Sequence, residues 1–90
     1  MPFYVYIIQS MTDNSYYKGF SEQPMKRLMQ HNNKESFYTA SKTPWKIVFL
    51  QVFEQKADAL KREKVLKKYS HSQILQLIHS KLNVIDSFSE

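Results

Sequence analysis

The chain has 90 residues with one glycine, three prolines, no cysteine and a formal charge of +5, from eleven Lys and two Arg against eight acids. That describes one small domain without a disulfide framework or thiolate metal site, and its basic balance points to a polyanionic partner such as nucleic acid. Glycine scarcity excludes the G-x-x-x-x-G-K and G-x-G-x-x-G phosphate loops, so no nucleotide cofactor of those types is expected, and no apolar run approaches the roughly 18 residues that cross a bilayer. With no signal peptide visible, the expectation is a cytoplasmic protein with no membrane partner.

Residues 3 to 8, Phe-Tyr-Val-Tyr-Ile-Ile, are all aromatic or β-branched and predict a strand buried on both faces. Met11 to Ser15 is turn material, and Ser15 to Phe20 returns as a second aromatic strand, so an antiparallel hairpin follows. Ser21, Glu22, Gln23 and Pro24 signal a helix start. Met25, Leu28 and Met29 then give that helix an apolar stripe, ending near Asn32 and Asn33. Residues 34 to 44 form a basic, polar loop carrying Phe37 and Tyr38, and Trp45 to Glu54 reads as a third strand. Lys56 to Tyr69 lacks glycine and proline and predicts a Lys-rich helix. Ser70-His71-Ser72-Gln73 fits a capping box opening a last helix to about Lys81, with Ile74, Leu75, Leu77 and Ile78 as its buried stripe. Residues 1 to 82 are read as the domain and 83 to 90 as an unassigned tail. The fold class is α/β in the order ββαβαα, with a small, three-stranded, largely antiparallel sheet flanked by helices.

The three histidines, His31, His71 and His79, have no spacing that suggests a zinc site, and no Ser/His/Asp set stands out. A different grouping does. Strand alternation puts Tyr4 with Tyr6 and Tyr17 with Gly19, and antiparallel pairing can bring Tyr6 and Tyr17 onto one surface. Arg27 and His31, at i and i+4, point together from the next helix. Glu63, between Ala59 and Leu66, lies at the edge of an apolar face, where a carboxylate needs a partner.

Tyr4-Val5-Tyr6, then Tyr17-Lys18-Gly19 ten residues on, then Arg27 and His31 and a later Arg62-Glu63-Lys64 resemble the GIY-YIG nuclease domain. Phe3 to Ile8, Tyr16 to Gly19, Arg27 to Asn32, Tyr38-Thr39, Pro44-Trp45-Lys46 and Lys61 to Lys68 are similar to its small stand-alone bacterial members, over about residues 3 to 78. Tyr4 stands where the first motif usually begins with glycine, and Lys18 replaces an apolar residue. Asn83 is the candidate counterpart of a late asparagine in larger members.

The resemblance implies a metal-dependent endonuclease hydrolysing DNA with little sequence specificity, in repair or recombination, on branched, nicked or flapped DNA. It implies Tyr6 and Tyr17 as motif tyrosines, one of them removing a proton from water, Arg27 as phosphate-binding, His31 as an auxiliary polar group, and Glu63 as ligand to one Mg2+ or Mn2+. Phenolate formation would require nearby cations, with Arg27 and Lys18 as candidates. Lys18, Gly19, Lys42, Lys46, Lys64 and Lys67 are the candidate nucleic-acid contacts, and a monomer is expected. The alternative is a nucleic-acid-binding module with the same fold and no turnover. Read as plain structure, Tyr6 and Tyr17 would be core aromatics paired across the hairpin, and Arg27 and Glu63 a structural ion pair.

Overall fold

A computed structural model describes residues 2 to 88. Strand β1 (Phe3–Ser10) is the centre of a three-stranded sheet, with β2 (Tyr16–Ser21) on one side and β3 (Trp45–Phe53) on the other, both antiparallel to it. Three helices, α1 (Pro24–Asn32), α2 (Lys56–Leu66) and α3 (His71–Ile78), complete the order ββαβαα expected from the sequence. The central place of β1 explains its unbroken aromatic and β-branched composition, because a strand covered on both faces has no side that must be polar.

Pleating divides the strand residues between two cores. Val5, Ile7 and Phe49 face α2 and α3, where they meet Ala59, Leu66, Ile74 and Leu77. Tyr6, Ile8, Trp45 and Leu50 face the opposite way, against Leu28 of α1 and the C-terminal residues Val84, Ile85 and Phe88.

The hairpin turn is built from its polar residues. Asn14 takes the left-handed conformation at φ 65°, which asparagine tolerates, while Asp13 Oδ1 accepts from the Ser15 amide (3.0 Å) and hydroxyl (2.7 Å). These bonds, with the neighbouring Lys42, hold the Asp13 carboxyl well below the usual carboxylate range. The capping box at Ser70 forms as read: Ser70 Oγ accepts from the Gln73 amide at 3.2 Å and Gln73 Oε1 from the Ser70 amide at 2.8 Å.

Three expectations are corrected. In α1 the inward face is rotated from the apolar stripe: Leu28 packs on the core but Met29 is exposed, whereas Pro24 and His31 are buried. Leu75 likewise points outward from α3, which ends at Ile78 with Ser80 Oγ bonded to the Leu77 carbonyl at 2.7 Å. α2 stops at Leu66, short of Tyr69.

Of the segment set apart as a tail, residues 83 to 88 pack on the domain; Ser89 and Glu90 lie outside the described residues. Asn83 is the fastener. Its Nδ2 donates to the carbonyls of Val48 (2.8 Å) and Ile78 (2.9 Å), and its Oδ1 accepts from the amides of Leu50 and Ile85, both at 3.1 Å. The Phe88 ring then meets Tyr4 edge-on at 5.4 Å.

Candidate active site

Register decides how the two motif tyrosines meet. Tyr6 pairs with Gly19 and Ile8 with Tyr17, so the tyrosines are diagonal neighbours on one face, with ring centroids 6.5 Å apart. The Tyr6 ring reaches across β2 directly over Gly19: a Cβ on that residue would fall 2.4 Å from both Cζ and the hydroxyl oxygen of Tyr6. Gly19 therefore makes room for a side chain of its own fold.

Helix α1 presents its polar side to this surface. The fully buried His31 places Nε2 2.9 Å from the Tyr6 hydroxyl and Nδ1 2.8 Å from Thr39 Oγ1. Burial, with the Arg27 charge nearby, pushes the imidazole down to about 4, so it is neutral at physiological pH. Tyr6, only 1% exposed, is pushed up to about 12, mainly by burial; Arg27 pulls it down, and Tyr17 and Glu63 push it further up.

A protonated phenol must donate, and His31 Nε2 is its one hydrogen-bond acceptor among the described residues, so Nε2 is the acceptor and Nδ1 carries the proton toward Thr39. The expectation that cations favour the Tyr6 phenolate is thus corrected for the free protein. Arg27 acts in that direction but burial outweighs it, and Lys18 stands on the other face of β2 from Tyr17.

Tyr17 is the hub of the surface, with centroids 5.0 Å from His31, 6.1 Å from Tyr38 and 6.5 Å from Trp45. The Arg27 guanidinium is held by Gln30 Oε1 at 2.7 Å and lines a groove with Ser21, Gln23 and Lys26. Glu63 faces the sheet from α2, near enough to Tyr6 to oppose its ionisation. Its side chain is 19% exposed, and its partner is Lys67, at 3.8 Å, with no Arg27 ion pair among the described residues.

No three His, Cys, Asp or Glu side chains gather into a cage among the described residues. A lone, partly buried carboxylate beside open groove suits Mg2+ or Mn2+, which keeps waters and takes one or two carboxylates with substrate phosphate. Glu63 is therefore a fitting ligand.

The candidate nucleic-acid contacts separate. Lys67 and the half-buried Lys18, whose pKa is lowered by burial, line one groove with Tyr16, Tyr17 and Tyr38. Lys64 lines the adjoining groove with Glu63. Lys46 is exposed at the start of β3. Lys42 is at the hairpin turn, 3.0 Å from Asp13 and 3.3 Å from Ser15 Oγ.

Comparison with known proteins agrees with this geometry. The family model described as the GIY-YIG catalytic domain matches residues 2 to 76. The chain belongs to the GIY-YIG family. Within it, the chain is 42% identical over 79 residues to a UPF0213 protein of Clostridium perfringens, covering 87% of this chain and 84% of that one. A UPF0213 protein of Staphylococcus saprophyticus is 37% identical over 76 residues, covering 83% and 92%. The solution NMR structure of the UPF0213 protein from Bacillus halodurans superposes with a TM-score of 0.59 at 30% identity, over 91% of this chain and 87% of that one. A GIY-YIG domain on a three-stranded antiparallel sheet is therefore established for this chain; the family suggests a nuclease-type domain and implies a DNA substrate.

Two further side chains of this surface were given no role by the sequence. Thr39, buried and bonded to His31, and Asn32, whose amide clamps Trp45 through bonds of 2.6 Å to its N–H and 3.0 Å to its carbonyl, both act on partners distant in the chain. The Tyr38-Thr39 pair contributes to the resemblance, but spacing alone gave it no role.

Proposed function

We propose that this domain hydrolyses DNA phosphodiester bonds with little sequence specificity, in DNA repair or recombination, using one Mg2+ or Mn2+ held at Glu63. The observation that carries the reading is the 2.9 Å hydrogen bond between the Tyr6 hydroxyl and a neutral, buried His31, set beside Tyr17 and Arg27. It gives the phenol proton a defined destination, and it favours Tyr6 over Tyr17 as the residue that receives a proton from the attacking water.

Each side chain then has a distinct part. Nε2 of His31 accepts the Tyr6 hydroxyl's hydrogen bond and takes that proton only as Tyr6 receives one from the attacking water, and Thr39 Oγ1 fixes the imidazole tautomer by accepting from Nδ1. Arg27, anchored by Gln30, binds a phosphate oxygen through its planar donor fork, and Tyr17 orients the phosphate from β2. Burial at Tyr6 keeps the proton in place until substrate arrives. A divalent cation at Glu63 would supply Lewis-acid charge that lowers the cost of the phenolate and stabilises the leaving oxygen.

The test is cleavage of nicked, flapped and branched DNA in Mg2+ or Mn2+, repeated with Glu63→Ala. Cleavage that Glu63→Ala abolishes is expected. Failure to cut any of these substrates, or equal cutting by the variant, overturns the proposal, and salt-sensitive binding without product would leave a nucleic-acid-binding module.

A further inference from the structure

Phe37 and Tyr38 are two consecutive aromatic residues that the fold leaves exposed. Phe37 is 99% exposed and Tyr38 78% exposed. A single exposed aromatic needs no explanation, but these two occupy the centre of one turn, Ser36 to Thr39, closed by the Thr39 amide on the Ser36 carbonyl at 3.3 Å. The residue that ends the turn is anchored from two directions. Thr39 Oγ1 bonds His31 Nδ1, and its carbonyl accepts from Trp45 Nε1 at 3.0 Å. The aromatic tip is therefore presented from a fixed base that is also part of the Tyr6–His31 network.

Position and charge indicate what the tip would meet. The Tyr38 ring lies 6.1 Å from Tyr17, and the groove that Tyr38 lines contains Lys18 and Lys67. Aromatic faces beside lysines are the two components of single-strand recognition: bases stack on rings while cations follow the phosphates. Bases inside a continuous duplex are already stacked and offer no face to such a ring. An unpaired nucleotide does.

We propose that Phe37 and Tyr38 are a stacking platform for an unpaired nucleobase of DNA next to the scissile phosphate, selecting flapped or single-stranded ends over continuous duplex. This rests on the DNA-processing reading above and adds the substrate feature that the site recognises.

The test is fluorescence anisotropy of the full chain, without metal, on two labelled DNAs: a blunt duplex, and the same duplex bearing a single-stranded overhang. The double variant Phe37→Ala/Tyr38→Ala is expected to weaken overhang binding about tenfold or more, the size expected for lost stacking, and to leave duplex binding and the salt slope unchanged. Replacing overhang nucleotides by abasic sites should weaken the wild type similarly and the double variant not at all. Lys67→Ala, by contrast, should weaken both DNAs and reduce the salt slope by about one. Both aromatics are exposed, so the variant's unchanged melting curve confirms that the fold is intact. Equal loss on both DNAs, or no loss on the overhang while the wild type binds it, overturns the platform and leaves the hydrolysis proposal standing. A wild type that binds neither DNA overturns both.

Discussion

Val5 and Ile7 point from β1 toward α2 and α3; Tyr6 and Ile8, alternating with them, point toward α1. The first face closes on Phe49, Ala59, Leu66, Ile74 and Leu77, with no polar side chain in the buried cluster. The second buries a phenol, an imidazole and the Thr39 hydroxyl, with no buried side-chain nitrogen or oxygen left unpaired among the described residues. One strand thus serves a core held by apolar burial and a polar network held by hydrogen bonds. Such networks are costly when incomplete. The α2/α3 face can supply stability to a domain this small, so that the α1 face can keep groups at protonation states and positions that burial alone would not select.

The largest effects should divide along that line. Tyr6→Phe keeps the ring and its packing but removes the hydroxyl, so DNA cleavage is expected to fall by about 10²–10⁴-fold. Its unfolding free energy should drop by only about 1–3 kcal/mol, for a buried His31 nitrogen left without a donor. Phe49→Ala on the other face should do the reverse, costing about 3–5 kcal/mol in urea denaturation while the remaining folded protein cuts at its former rate. Similar losses of activity per folded molecule from both variants would break the division of labour.

Acid should act on one face only. His31 is pushed down to about 4 from 6.5, so the unfolded chain binds a proton that the folded protein refuses between those values. Stability is therefore complete above pH 6.5 and declines as pH falls through 6.5 toward 4, by about 3 kcal/mol for this group. Asp13, whose pKa is lowered from 3.8, begins to lose stability only below that window. Urea titrations from pH 7 to pH 4 should show the decline in the wild type and a much flatter curve for His31→Gln, starting from a lower plateau. Parallel curves would mean that His31 is not the group being protonated.

Legibility in the sequence followed the range of the interaction. The strands and the Ser70–Gln73 capping box depend on residues within a turn or a pleat of one another, and both were readable. The inward face of α1 was not. Met25, Leu28 and Met29 form the more apolar stripe, yet of these Leu28 packs on the core and Met29 is exposed, and the helix turns Pro24 and His31 inward because Tyr6 and Thr39 supply hydrogen-bond partners that residues near α1 cannot. Residues 83 to 88 were opaque for the same reason. Asn83 anchors them to Val48 and Leu50, 35 and 33 positions earlier, and neither partner leaves a trace in the composition of the tail. The protonation state of Tyr6 was equally hidden, since the depth of burial that raises its pKa is a property of the assembled face.

Gly19 gives the most sensitive probe of how tightly the α1 face is set. From sequence it is a glycine on the Tyr17 side of β2 and a candidate nucleic-acid contact; in the structure the close neighbour is the Tyr6 ring. The ring cannot swing aside freely, because its hydroxyl is bonded to His31 and the residue is buried. Gly19→Ala should therefore cost about 1–3 kcal/mol in urea denaturation, as overpacking of a filled core does. The displaced phenol should lengthen or lose its bond to Nε2, so the His31 imidazole signals in NMR should shift while amides under α2 and α3 stay in place. Combined with Tyr6→Ala, which removes the ring altogether, the added methyl should cost little or nothing, since there is no longer anything for it to strike. A penalty that persists in the double variant would mean that Gly19 serves the β2 backbone itself and not Tyr6.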